Sequence, residues 1–135
     1  MIVVDSHVIA YCWIHGERTA QAHRLRRLDA DWHAPMLWHS ELRNILAGYR
    51  RDGSLDDLQV RQIMAAAQEG LAAREHYLPG ERVFRVTEQS RLSAYDAEFV
   101  ALAEILDVPL VTEDRAILAA FPQRAMDVEG AVASL

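Results

Sequence analysis

Apolar positions along this chain change their spacing several times, and each change marks an element. Ile2, Val3 and Val4 form an unbroken apolar run closed by Asp5, the pattern of a short strand buried on both faces. From Ser6 to Ile14 the residues Val8, Ile9, Cys12 and Trp13 fall near helical spacing, and Gly16 breaks the stretch. A second helix is expected from about Glu17 to Leu28, with Ala22, Leu25 and Leu28 inward and Arg24, Arg26 and Arg27 outward. Trp32 to Pro35 reads as a second strand. Between about Leu37 and Arg51, the residues Leu42, Ile45, Leu46 and Tyr49 form one stripe, so an amphipathic helix is expected there. Asp52-Gly53 stops it, with Gly53 available for a left-handed turn.

Ser54 to Asp57 looks like a variant capping box opening the next helix, whose inward residues are Leu55, Leu58, Ile63, Met64 and Ala67. Pro79-Gly80 marks a turn, and Val83 to Val86 reads as a strand. Ser93 to Leu106 is again amphipathic and helical, and Pro109 to Thr112 is a strand. A short helix from about Asp114 to Phe121 and an edge strand from Ala125 to Val128 complete the pattern. Strands alternating with helices predict an α/β fold in a single domain over residues 1–135, with a mostly parallel sheet covered on both faces. No internal repeat, low-complexity stretch or linker interrupts it.

Composition narrows the chemistry. Hydrophobic residues make up 51% and charged residues 25%, a globular balance. The start of the chain has no basic stretch before an apolar run. The longest apolar run, Val8 to Ile14, falls far short of the ~20 residues a membrane span needs. A cytoplasmic protein without a membrane segment is therefore expected. The single cysteine, Cys12, excludes an internal disulfide and a cysteine-based zinc cage. All 14 basic residues are arginine. Without lysine, a P-loop, a Schiff-base enzyme and the lysine-assisted aspartate phosphatases are all excluded. The formal net charge of −6 has the wrong sign for holding nucleic acid through bulk electrostatics.

Two acids sit where short strands end: Asp5 after Ile2-Val3-Val4, and Asp114 two residues beyond Leu110-Val111-Thr112. In open parallel sheets, sites form outside the carboxyl ends of strands, where strand order switches. Asp96 and Glu41 fall in early turns of their own helices, so the four acids are candidates to converge. Each has a plainer reading when taken alone, because Asp at a helix start caps free N–H groups and complements the dipole. Ser93 and Asp96 have the spacing of a capping box. Glu41 fits a capping role least, since Glu is a poor N-cap. Taken together, crowded carboxylates repel and call for a cation. An oxygen-only set selects Mg²⁺ or Mn²⁺ over zinc or copper, and such ions activate water for phosphodiester hydrolysis. No two of the six histidines show the i, i+4 spacing of a helical zinc site.

Four blocks make the chain resemble the PIN-domain nucleases, specifically the VapC-type toxins of bacterial toxin–antitoxin pairs. They are Val3-Val4-Asp5-Ser6; Trp38-His39-Ser40-Glu41-Leu42-Arg43-Asn44 after Ala34-Pro35; Leu92-Ser93-Ala94-Tyr95-Asp96-Ala97-Glu98; and Pro109-Leu110-Val111-Thr112-Glu113-Asp114-Arg115. The resemblance implies a PIN-like three-layer α/β/α sandwich with a mostly parallel, about five-stranded sheet. It makes Asp5, Asp96 and Asp114 metal ligands and Glu41 a fourth acid at the same site. Thr112, and less specifically Ser6, become supporting residues. It further implies an Mg²⁺- or Mn²⁺-dependent ribonuclease, usually a homodimer, inhibited by a cognate antitoxin. Arginines at the rim, Arg43 and Arg115 first and then Arg50 and Arg51, are candidates for the RNA backbone. An exposed arginine is also an ordinary solvated residue. Two other classes stand beside this one: a PIN-fold binding module whose acids do not catalyse, and an unrelated α/β metal-dependent phosphatase.

Overall fold

The computed structural model describes all residues 1–135. Five strands, β1 (Ile2–Val4), β2 (Trp32–Pro35), β3 (Glu75–His76), β4 (Leu110–Val111) and β5 (Ala125–Met126), form one sheet in the order β3-β2-β1-β4-β5. Every neighbouring pair is parallel, so the sheet is wholly rather than mostly parallel. The central strand β1 is buried throughout, and alternation splits its residues between two cores. Ile2 and Val4 join one with Ala34, Trp38, Leu42 and Val111. Val3 joins the other with Phe99, Val100, Leu102 and Leu110.

Helices cover both faces. On the first core lie α1 (Ser6–Trp13), α2 (Thr19–Leu28), α3 (Trp38–Arg51), α4 (Asp57–Leu71) and α8 (Val128–Ser134). On the second lie α5 (Gly80–Glu88), α6 (Ala94–Leu106) and α7 (Arg115–Ala120). The result is a three-layer α/β/α sandwich. Gly53 at φ 83° ends α3 in the left-handed region, where a side chain is strained. Gly70 lets α4 approach α1, because a Cβ there would sit 2.4 Å from the Trp13 ring. No helix is long and apolar enough to cross a membrane.

Five expectations are corrected. Leu28, expected inward on α2, is 47% exposed at the helix end. Val83 to Val86 is not a strand but the middle of α5; Val83 and Val86 bury at i, i+3 while Phe84 is exposed. The α4 cap is Asp56 rather than Ser54, with a complete capping box to Gln59. Leu58, expected inward, is 64% exposed, because at about 100° per residue it falls on the side of α4 opposite the buried Ala67. Tyr49, placed on the buried stripe of α3, is also exposed, while Leu42 and Leu46 are fully covered. The strand β3 and the helix α8 are additions.

The sheet order positions the site. From β1 the chain crosses to β2 and β3 on one side, then returns to β4 and β5 on the other. The order therefore switches between β1 and β4. Asp5 follows the first of these strands directly, and Thr112 to Asp114 follow the second.

Candidate active site

Asp5 is the N-cap of α1, where its Oδ1 accepts from the Val8 backbone N–H at 3.0 Å. Its Oδ2 accepts from the Thr112 hydroxyl. Thr112 is fully buried, and its oxygen also accepts the Asp114 backbone N–H at 3.0 Å. One hydroxyl thus orients the carboxylate that follows β1 and the backbone that follows β4. Asp114 caps α7 through Oδ1, which accepts from Ala116 at 2.8 Å and Ile117 at 3.1 Å. Its other oxygen takes no part in the cap.

Glu41 lies in the first turn of α3, and its Oε1 accepts from the Ser6 hydroxyl at 2.7 Å. The α3 cap position, Leu37, has no side-chain cap bond, so Glu41 does no capping work. Asp96 lies in the first turn of α6, whose cap is Ser93, accepting the Asp96 N–H at 3.1 Å. The reciprocal bond of a capping box, from the Ser93 N–H to the Asp96 carboxylate, is not formed. The Asp96 side chain faces a cavity instead. Asp5, Ser6, Glu41, Asp96 and Asp114 line this cavity of about 70 Å³ together with His7, Phe99 and Ile117.

Charge accumulates there. Burial pushes the Asp5 carboxyl above its ordinary value, opposed by the Thr112 and Val8 hydrogen bonds and by His7, while Asp114 adds to the rise. Glu41 is raised by burial and by the charges of Asp96 and Asp5, against the Ser6 bond and His7. Asp96 is raised by burial and by Asp114, against Ser93 and His7. His7 opposes the rise at all three acids. Glu98, present in the third sequence block but given no role there, is raised by burial and by Glu41. It stands two residues from Asp96, a spacing that on a helix points elsewhere, so only the three-dimensional approach of Glu41 and Glu98 at this end of the sheet reveals it.

No three of the Asp, Glu, His and Cys side chains stand close enough to make a ready-formed ion cage. The donor chemistry fits a hard cation all the same. It is oxygen-only, and burial with mutual repulsion penalises its charged form, a penalty a divalent ion relieves. Arg43 does not join this cavity. It lines another of about 370 Å³ between α3 and α4, with Leu46, Arg50, Arg61 and Met64. Arg50 is paired with Asp57 at 2.8 Å, and Arg51 is exposed. Arg115 is exposed at the start of α7 and does not line the acid cavity.

Residues 2–121 match the PIN domain model. The chain belongs to the PIN-domain family. Among relatives of this PIN-domain protein, VapC ribonuclease Mb0985 of Mycobacterium bovis is 36% identical over 118 residues, covering 84% of this chain and 86% of the relative. Ribonuclease VapC9 of Mycobacterium tuberculosis matches with the same 36% identity and the same coverage. Ribonuclease VapC3 of Pyrobaculum aerophilum is 29% identical over 124 residues, covering 90% of this chain and 95% of the relative. This PIN-domain chain is therefore of the VapC type. Its fold matches the crystal structure of PAE2754 from Pyrobaculum aerophilum with a TM-score of 0.79 at 23% identity, covering 98% of this chain and 93% of that one.

Proposed function

We propose that this chain is a metal-dependent ribonuclease acting as the toxin of a toxin–antitoxin pair. The observation that carries the reading is the convergence of Asp5, Glu41, Asp96 and Asp114 on one small cavity at the switch point of a parallel sheet. The names of the relatives, all VapC ribonucleases, support it. Asp5, Asp96 and Asp114 would hold Mg²⁺ or Mn²⁺, with Glu41 as the fourth acid. When bound, the ion supplies Lewis-acid activation of water and of the scissile phosphate.

The chain's own residues do the rest. Thr112 holds the Asp5 carboxylate and the Asp114 backbone in one arrangement. Ser6 orients Glu41. His7 supplies positive charge beside three acids when protonated and lines the mouth of the cavity. The RNA substrate, the antitoxin and a homodimeric assembly belong to the same proposal.

Asp5→Asn and Asp96→Asn should each lower Mg²⁺- or Mn²⁺-dependent RNA cleavage by at least about two orders of magnitude, the scale of losing one electrostatic contact to a transition state. Circular dichroism should report an unchanged fold. Cleavage by both variants at the parent's rate would place the centre elsewhere. A binding module of this fold would show no metal-dependent cleavage in the parent either.

A further inference from the structure

Beside the acids, a cavity of about 230 Å³ opens between the later half of α1, the turn from Ile14 to Thr19 and the middle of α3. His7 and Tyr11 line it and also line the neighbouring cavity that contains Asp5, Glu113 and Asp114, so the two adjoin across these side chains. Its walls carry the rings of Tyr11, Tyr49, His7 and His15, one arginine, Arg18, and one acid, Glu17. The Arg18 guanidinium carbon lies 5.4 Å from the centre of the Tyr11 ring, and the same side chain reaches Glu113 at 3.3 Å. The His7 ring lies 6.5 Å from that of Tyr11. Tyr49 closes the α3 side with 39% of its surface exposed, although its place on the α3 stripe predicts burial.

These features select among ligands. Aromatic faces with a guanidinium plane hold flat rings by stacking and cation–π attraction. Ala10, Ile14 and Ile45 supply apolar surface beneath such a ring. The one arginine here is already paired with Glu113, and the chain carries a net charge of −6, so little affinity can come from neutralising phosphates. A strand bound at this face must be held largely through its bases.

We propose that this cavity is a nucleobase site, receiving an unpaired base of the RNA strand whose neighbouring phosphodiester lies against the acids. The inference rests on the ribonuclease reading above and adds the residues that grip the substrate: Tyr11, Tyr49 and Arg18. The base stacks against the tyrosine rings, and the Tyr11–Arg18–Glu113 contacts keep that wall in place.

The test uses the purified full chain and a short mixed-sequence single-stranded RNA. Tyr49→Ala should raise KM about 5- to 100-fold, the range of one lost base–aromatic stack, with kcat little changed. Tyr49→Phe keeps the ring and should keep the parent KM. Tyr77→Ala, at a tyrosine 87% exposed and outside these cavities, should match the parent. Affinity for the same RNA in EDTA should follow the same order, with a salt slope equivalent to only one or two phosphates. A parent that cleaves while Tyr49→Ala keeps both KM and metal-free affinity overturns the base site alone. So does a Tyr49→Ala defect confined to a protein partner. A parent that binds RNA through Tyr49 but never cleaves it upholds the base site and overturns the ribonuclease reading; a parent that does neither overturns both.

Discussion

Capping and site formation are not alternatives for a carboxylate, because it has two oxygens. Asp5 and Asp114 each spend one oxygen on a helix N-terminus, and for Asp5 the other is held by Thr112. Asp96 reverses the expectation from its capping-box spacing: Ser93 does the capping, and the Asp96 carboxylate is left for the cavity. That spacing cannot tell the two apart in sequence, since the donor half of the motif is identical in both. Thr112 is the residue on which the arrangement turns. Thr112→Val keeps the shape but leaves the Asp5 Oδ2 and the Asp114 N–H without their partner in a buried place. Chemical denaturation should show a loss of about 1–3 kcal/mol, the cost of stranding buried polar groups. Thr112→Ser preserves both bonds and should lose clearly less. Equal losses for the two variants would show that the methyl group, not the hydroxyl, matters here.

Elements were legible in proportion to how far their own side chains enforce them. The run Ile2-Val3-Val4 reads as a buried strand because both of its faces are core. By contrast, β3 is two polar residues, Glu75 and His76, held by backbone pairing to β2 and by side-chain bonds that no local pattern announces. Across that edge His33 Nδ1 lies 2.8 Å from His76 Nε2, and His33 Nε2 lies 2.8 Å from Asp31 Oδ1. The Asp31 carboxylate only accepts, so His33 donates to it; with His33 neutral, His76 donates to His33. Arg74 also donates to Asp31 at 3.0 Å. Burial and the neighbouring His33 hold His76 below its ordinary value of 6.5. The unfolded chain then takes up this proton first as pH falls. The contribution of His76 to stability is complete above about 6.5 and is lost as pH drops toward the lowered value. His76→Gln keeps a donor without titrating. Its stability should fall less steeply than the parent's below pH 6.5, by at most about 1.4 kcal/mol per pH unit. Parallel pH profiles for the two proteins would remove this pair from the balance.

The whole molecule brings its acids together at the one place where the sheet reverses its direction of growth, and that placement has a cost in the absence of a cation. Sequence position at strand ends made Asp5 and Asp114 legible as neighbours, because parallel strands share a carboxyl edge. The approach of Glu41 and Asp96 was less so, since it depends on α3 and α6 reaching that edge from opposite faces of the sheet. Burial and Asp114 raise the Asp96 carboxyl, so its ionised form at neutral pH is unfavourable in the folded chain. Asp96→Asn removes a charge and leaves the Ser93 cap of α6 intact, since that cap uses only the Asp96 backbone. Without divalent ions the variant should therefore be more stable than the parent, by about 0.5–2 kcal/mol, or about 2–6 °C in Tm. An ion binding only the folded parent reverses the order: at about 100 times its Kd it adds roughly 2.7 kcal/mol to the parent and much less to the variant. Thermal melts of both proteins in EDTA and across an Mg²⁺ or Mn²⁺ titration, at matched ionic strength, should cross. A parent whose Tm ignores the ion, or a variant less stable than the parent in EDTA, would mean the acids do not form a strained cation site.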